Sequence, residues 1–352
     1  MMLIGLGLAG LAAASSYSLT SRLVRASGRL GTLDRPSERS LHVEPVPRTG
    51  GLAILAGATV GFAISFGLAR TVGGLAPVEA AGLGSVLGGV LAVAVVSYWS
   101  DAQDMSAAIR LVAHTIVGAI TVWLAGLAVD AVTLPFLGSM SLGAAALPIT
   151  VLAVVWMTNL YNFMDGMDGF AGGMTVIGFG CLGWLGWTGG HQTIAWLSVV
   201  VVGATAGFLA HNFPPASIFM GDVGSVSLGF LAGALSLMGI RDRLFDVWVP
   251  VLVFSPFVVD ATVTLVRRLL RGERVWRPHR EHYYQRLVLT GWGHRKTVLA
   301  EYALMLGCGT TALAYVRLSA PAQLFLLTVW VTVYCVLVCG VRAVEARSAG
   351  RR

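Results

Sequence analysis

Asn159, Asn162, Asp165 and Asp168 set two carboxamides and two carboxylates close together, between apolar runs that end near Thr158 and restart at Phe170. A charge at such a junction is costly unless it is paired, hydrated or bound to metal. A glycine-rich turn between helices would explain Gly166 and Gly169, but such a turn seldom needs two acids and two amides. Four other segments share this polar character. Residues 34–51 carry His42 and Arg48, and residues 100–104 carry Asp101 and Asp104. Residues 212–225 carry Asn212, Phe219 and Asp222, and residues 267–296 carry His279, Arg280 and His282. If Asp101, Asp165, Asp168 and Asp222 gather, like charges raise one another's pKa unless a cation compensates. No lysine lies in the acid-bearing loops, so a divalent metal is the natural compensator. Oxygen donors without Cys or a close His pair favour Mg²⁺, with Mn²⁺ as the alternative, over Zn²⁺. Positive charge from the His- and Arg-rich segment would face the same phosphates, as phosphoryl transfer requires. Glycine-rich turns let backbone N–H groups approach a pyrophosphate.

The elements that must hold these residues are membrane spans. The chain has 352 residues, 56% hydrophobic and 12% charged, with mean hydropathy +0.78; a soluble domain carries about 25% charged residues. Apolar runs long enough to cross a ~30 Å hydrocarbon core as helices recur along its length. They lie near residues 2–20, 50–69, 80–99, 107–126, 145–162, 169–188, 192–211, 223–240, 246–266, 298–316 and 321–341. The expected fold is all-α, a polytopic integral membrane protein of about eleven transmembrane helices. Residues 1–352 read as a single domain, with the motifs in 34–290 and C-terminal helices in 298–341. No basic residue precedes Arg22, so the first run reads as a retained helix rather than a cleaved signal.

Charge orients the bundle. Of 24 Lys and Arg, six fall in residues 22–48, nine in 267–296, four from Arg342 onward and one at Arg110. The positive-inside rule then places the N-terminus outside and the C-terminus in the cytoplasm. All five polar segments fall on that cytoplasmic face. A site there opens at the bilayer boundary, so one substrate should be lipidic. The net charge of +7 suits anionic headgroups or an anionic substrate, and no soluble domain is present to hold nucleic acid. Cys181, Cys308, Cys335 and Cys339 lie in apolar runs and read as packing residues. Asp101 with Asp104 would also suit a helix start. His114 reads as a paired interior histidine, and Asp260 as an acid with a hydrogen-bonding or cationic partner, Arg267 and Arg268 lying within two turns.

The motifs resemble those of the polyprenyl-phosphate N-acetylhexosamine-1-phosphate transferases, membrane enzymes of the MraY and WecA types. The resemblance spans residues 34–290. It is carried by Asn-x-x-Asn-x-x-Asp-Gly-x-Asp-Gly from Asn159 and by Asn-Phe-Pro-Pro-Ala-x-Ile-Phe-Met-Gly-Asp-x-Gly-Ser from Asn212. Arg-Ser-Leu-His-x-x-Pro-x-Pro-Arg-x-Gly-Gly from Arg39 and His-Arg-x-His-x-Tyr-Gln-Arg-Leu from His279 look most like the O-antigen-initiating branch.

The resemblance implies attack by undecaprenyl phosphate on the sugar-linked phosphorus of a UDP-N-acetylhexosamine. UMP would leave, and a lipid-linked diphosphosugar would start O-antigen or another envelope polysaccharide. Asp222 and Asn162 would hold Mg²⁺, and Asp165 would support the metal and phosphate site. Phe219 would stack on uracil, with Asn212 and Asp168 near the nucleotide. His279, Arg280 and His282 would contact the diphosphate and sugar. Asp101 would position the lipid phosphate, and His42, Arg48 and Asn159 would complete the substrate-binding set. The setting implied is a bacterial plasma membrane, with the site cytoplasmic and a homodimer allowed. The sugar stays open among GlcNAc, FucNAc and QuiNAc.

One departure stands out: the family usually has Asp-Asp where this chain has Ser100-Asp101, and the first acid has been proposed to deprotonate the lipid phosphate. A phosphate monoester has its second pKa near ~6, so the nucleophile is already largely dianionic at neutral pH. The chain is then either an active enzyme that positions the phosphate through Asp101 or a weakened homologue; the other intact motifs favour activity. A CDP-alcohol phosphotransferase would need an Arg and later acids that are missing after Asp168. A transporter or flippase would place its ionisable groups near the bilayer midplane, where Asp260 and His114 are the main exceptions to the crowding at one face.

Overall fold

Inside a bilayer every backbone polar group must be satisfied within the protein, which leaves helices or closed barrels; this chain uses helices. The computed structural model describes residues 2–30, 33–34, 41, 45–72, 77–103, 105–135, 137–274 and 279–349. Helix α1 (Met2–Leu30) leads to a minimal antiparallel pair, β1 (Leu33–Asp34) with β2 (Val46–Pro47), then α2 (Gly50–Val72), α3 (Pro77–Gln103) and α4 (Ala107–Leu124). A hairpin of β3 (Ala131–Leu134) and β4 (Gly138–Ser141) precedes α5 (Ala146–Met164), α6 (Phe170–Thr188), α7 (Gln192–Asn212) and α8 (Gly221–Arg241). The remainder comprises α9 (Trp248–Val253), α10 (Ser255–Leu270), α11 (Tyr283–Leu287), α12 (Gly293–Tyr315) and α13 (Ala320–Ala349).

Among the described residues, ten helices are long and apolar enough to cross a membrane, so the all-α, multi-pass architecture stands. The difference from the expected eleven lies in the run 246–266, which is broken at Phe254 into α9 and α10. Pro256 is the cause: it lacks an N–H and fits only the first turn of a helix, where α10 places it. Laid end to end, the two helices would reach roughly 34 Å at 1.5 Å per residue.

Helix α8 is the most enclosed helix and packs against α2, α3, α5, α6 and α7. Lipid gives helices no hydrophobic reason to associate, so close contact through small residues has to do it. The α8 sequence provides them at Gly224, Ser225, Ser227, Gly229, Ala232 and Gly233. A Cβ on Gly51 would stand 2.3 Å from the Gly224 nitrogen, and one on Gly224 would stand 2.8 Å from the Gly51 Cα. Helices α2 and α8 therefore touch backbone to backbone. Buried Thr150, Thr158 and Thr175 donate their hydroxyls to the carbonyl one turn earlier, which avoids the cost of an unpaired polar group in the interior.

This up-and-down order delivers the C-termini of α3, α5 and α7 and the N-termini of α2, α4, α6 and α8 to one end of the bundle. The acid-bearing segments are the connections at that end. At the other end the β3–β4 hairpin is fastened by Trp248 Nε1 donating to the Thr133 carbonyl at 3.0 Å. There Arg241 and His191 both reach Asp242.

The Gly51–Gly224 contact gives a direct test. Gly51→Val should lower the unfolding midpoint of the solubilised protein, by the equivalent of about 1–3 kcal/mol for an overpacked contact. Gly7→Val, at a position with nothing within 4 Å of a built Cβ, should leave the midpoint unchanged.

Candidate active site

The start of α8 is assembled by backbone pairing. Phe219 N–H donates to the Pro47 carbonyl at 2.8 Å, Gly50 N–H to Phe219 at 2.9 Å, and Gly51 N–H to Met220 at 2.8 Å. Gly221 follows in the left-handed region (φ 71°), where a Cβ would lie 2.4 Å from the Arg48 carbonyl. These bonds place Arg48 beside Asp222, in the first turn of α8. A carboxylate there is favoured by the helix dipole.

Two helices deliver donors to Asp222. Arg110 Nη1 of α4 meets Oδ2 at 2.7 Å, and Asn162 Nδ2 of α5 meets Oδ1 at 2.9 Å. The same amide reaches Ser225 Oγ at 3.2 Å. On the adjacent end of α3, Arg48 Nη1 lies 3.8 Å from Asp101 Oδ1, and its other amine donates to the Asp101 carbonyl at 3.5 Å. Asp165 ends α5 and accepts the Gly221 N–H. Burial first, and the charge of Asp222 second, hold the Asp165 carboxyl well above the usual carboxylate range. Three carboxylates thus face two guanidiniums, an excess of negative charge that a further cation would balance.

Asp168 and Asn212 face a different task. Asp168 Oδ2 accepts the Ala216 N–H at 3.0 Å, and its Oδ1 lies 2.9 Å from His294 Nδ1. Asn212 accepts the Gly169 N–H at 3.0 Å and donates to the Ile218 carbonyl at 2.8 Å. Both side chains bind the segments 165–169 and 213–220 to each other.

The His- and Arg-rich segment is organised by Asp260. Its carboxylate accepts the N–H groups of Tyr283 and Tyr284 at 2.9 and 3.1 Å and the Thr264 hydroxyl at 3.1 Å, and lies 3.2 Å from His282 Nδ1. Of the hydrogen-bonding or cationic partners expected for Asp260, the fold supplies hydrogen-bond donors rather than Arg267 or Arg268. Those arginines pair with Glu281, at 3.2 and 2.6 Å. The chain returns after residue 274 and brings the start of α11, with its unpaired N–H groups, to the acid. His279 stacks against His282 with ring centroids 4.9 Å apart. Burial, then His282 and Arg268, push the His279 pKa down to about 4, so this ring is neutral at neutral pH. Positive charge in the segment comes from its arginines. The Tyr284 ring packs 4.8 Å from Phe170, joining this segment to the Asn159–Asp168 cluster.

Of the residues singled out from sequence, the structure brings Asp101, Asp165, Asp222, Asn162 and Arg48 into one electrostatic cluster. Asn159 lies one turn deeper on α5, its amide donating to the Val155 carbonyl and its neighbour being buried His114. Phe219 and Arg280 are partly buried in the same group of loops. His42 and Asp104 lie outside the described residues. Two residues escaped the sequence reading. Arg110 counted only toward topology, although it stands one turn into the helix that follows Asp101; His294 carried no signal beyond its chemistry. Among the described residues no three or more His, Cys, Asp or Glu side chains form a metal-binding group. Asp222 with the Asn162 carboxamide, and Asp165 nearby, are the oxygen donors that could take a hard cation.

Residues 83–240 match the family model described as Glycosyl transferase family 4. The chain is 33% identical over 323 residues to a probable undecaprenyl-phosphate N-acetylglucosaminyl 1-phosphate transferase of Bacillus subtilis, spanning 91% of this chain and 85% of that one. It is 31% identical over 324 residues to a decaprenyl-phosphate N-acetylglucosaminephosphotransferase of Mycobacterium tuberculosis, spanning 84% and 79%. A shorter match, 33% over 169 residues, is to a phospho-N-acetylmuramoyl-pentapeptide-transferase of Anoxybacillus flavithermus, spanning 47% and 50%.

Asp165 yields a pH prediction. Its folded pKa is raised, so the folded state keeps a proton that the unfolded state has released, and this contribution is lost as pH rises. Without divalent cations, thermal stability should therefore fall more steeply with pH above about 4, the unfolded carboxyl value, in the wild type than in Asp165→Asn. Equal slopes would contradict the raised pKa of buried Asp165.

Proposed function

The chain belongs to the polyprenyl-phosphate N-acetylhexosamine-1-phosphate transferase family, and from that premise we propose that it moves N-acetylglucosamine 1-phosphate from a UDP-sugar to undecaprenyl phosphate. UMP leaves, and a lipid-linked diphosphosugar remains. The two long-matching relatives, one an undecaprenyl-phosphate and the other a decaprenyl-phosphate enzyme, support a polyprenyl-phosphate acceptor and N-acetylglucosamine as the sugar. The single observation that carries the reading is the meeting of Asp222, Arg110, Asn162, Asp165 and Asp101 at one end of a membrane bundle. The excess of Lys and Arg in the segments at that end supports a cytoplasmic site in a bacterial plasma membrane.

A divalent cation fits the donors present. Asp222 and Asn162 offer hard oxygen ligands, and the excess of carboxylates over guanidiniums around them is what a cation would relieve. Mg²⁺ commonly takes one or two protein oxygens and completes its shell with water and phosphate. When bound, it would neutralise charge developing on the diphosphate oxygens as the P–O bond to UMP breaks.

The remaining roles fall to the chain. Arg110 and Arg48 draw phosphate oxygens toward Asp222 and Asp101, and Asp101 orients the incoming lipid phosphate. Phe219 lies under the uracil. Arg280 and His282 contact the diphosphate, with Asp260 fixing which imidazole nitrogen of His282 faces outward. Ser100 is buried beside Asp101, and the already dianionic nucleophile needs no base there.

Purified protein with Mg²⁺, undecaprenyl phosphate and UDP-N-acetylglucosamine should release UMP. Asp222→Asn should lower turnover by at least about a hundredfold, the scale of losing a charge-stabilising group at a reacting centre. Ser100→Asp should change turnover by less than about tenfold, well short of the 10²–10⁴ range of a general base. Silence with every UDP-N-acetylhexosamine from protein that binds UMP would contradict the reaction, and near-wild-type Asp222→Asn would contradict the assignment of the centre.

A further inference from the structure

His294 and Asp168 meet at 2.9 Å although they belong to segments distant in sequence. Asp168 is 8% exposed, and its second oxygen is taken by the Ala216 N–H. The His294 ring makes a further hydrogen bond to the main chain of Leu41. One imidazole therefore touches the turn 165–169, which is itself bonded to the 213–220 segment, and also the first polar segment. The approach to it is set by Gly291 and Gly293, both in the left-handed region (φ 99° and 69°), which turn the chain just before α12. Two turns further along α12, the Tyr302 hydroxyl donates to the Gly169 carbonyl at 2.6 Å. Helix α12 thus holds the turn at two points, and the imidazole carries that hold across to Leu41.

We propose that His294 is a positioning residue for the nucleotide-side wall of the site: paired with Asp168, it holds Leu41 to the turn that is itself bonded to the segment carrying Phe219. This rests on the proposed function for the identity of the nucleotide. Leu41 precedes His42 and stands seven residues before Arg48, and the same stretch is zipped to Phe219 and Met220 through Pro47, Gly50 and Gly51. Backbone bonds hold Pro47, Gly50 and Gly51, and His294 holds Leu41. The pair is a close ion pair when the ring is protonated, although the ring nitrogen is not aimed along a hydrogen bond.

The test compares full-length wild type, His294→Ala, His294→Asn and Asp168→Asn, reading UMP affinity by calorimetry, KM and kcat with UDP-N-acetylglucosamine, and the unfolding midpoint. His294→Ala should weaken UMP binding and raise KM for the UDP-sugar by about tenfold, the scale of one hydrogen bond. Its effect on kcat and on KM for the lipid phosphate should be several-fold smaller. His294→Asn, which keeps an N–H near the Nδ1 position, should recover most of the loss, and Asp168→Asn should resemble His294→Ala. Unchanged UMP affinity in His294→Ala would overturn the proposal. So would equal losses in kcat and both KM values with a lowered midpoint and no recovery in His294→Asn. A wild type that binds UMP yet transfers no sugar would sink the reaction alone, and the UMP affinities would still decide the role of His294. A wild type that binds no UMP would overturn both.

Discussion

A carboxylate at the start of the most enclosed helix in a lipid-dissolved bundle has to be neutralised where it stands. Asp222 meets this constraint with a guanidinium from α4 and a carboxamide from α5. An ionised group at the membrane boundary is costly unless it is paired or hydrated, so the ends of α4, α5 and α8 bring their polar side chains to one point. The small residues of α8 permit that approach, and the contact of Gly51 with Gly224 brings α2 and Arg48 to the same point. Packing and chemistry are thus set by one requirement. The helices lie as close as they do because the polar groups at their ends must touch.

Similar side chains do two different things in this site. Asp222 and Asn162 bond mainly to each other and to Arg110, with Asp222 still partly open to solvent. Asp168 and Asn212 direct their polar atoms to backbone groups and His294, and are nearly enclosed. In the proposed function the first pair faces the ligand, and the second braces the loops around it. Asp260 follows the second pattern at the far side, its carboxylate serving the start of α11 and His282. His279, whose pKa falls to about 4 through burial and its cationic neighbours, leaves the positive field of that side to the arginines. An arriving diphosphate would change this balance by adding negative charge beside the ring.

Much of this was legible in the sequence. Composition and apolar run length were enough for the all-α membrane fold, and the Asn159–Asp168 and Asn212–Ser225 motifs marked the ends of helices that do converge. What escaped was information held in tertiary geometry. The break at Phe254 depends on one proline whose effect hydropathy does not register. Asp260 lies within two turns of Arg267 and Arg268 along the helix, but its partners arrive from a returning chain, which spacing along one helix does not reveal. Arg110 looked like a topology signal because three helices intervene between it and its partner on α8. His294 lies in a run of basic residues, where a single imidazole facing Asp168 has no pattern to betray it.

The central claim is that Asp222 is the focus of a cation- and phosphate-binding centre. Electron paramagnetic resonance of Mn²⁺ titrated into purified protein, with and without UMP, reads that claim most directly. The account predicts one bound Mn²⁺ whose affinity rises when UMP is added and which disappears in Asp222→Asn. Mn²⁺ binding that is absent, or that survives Asp222→Asn with its UMP dependence intact, would contradict it.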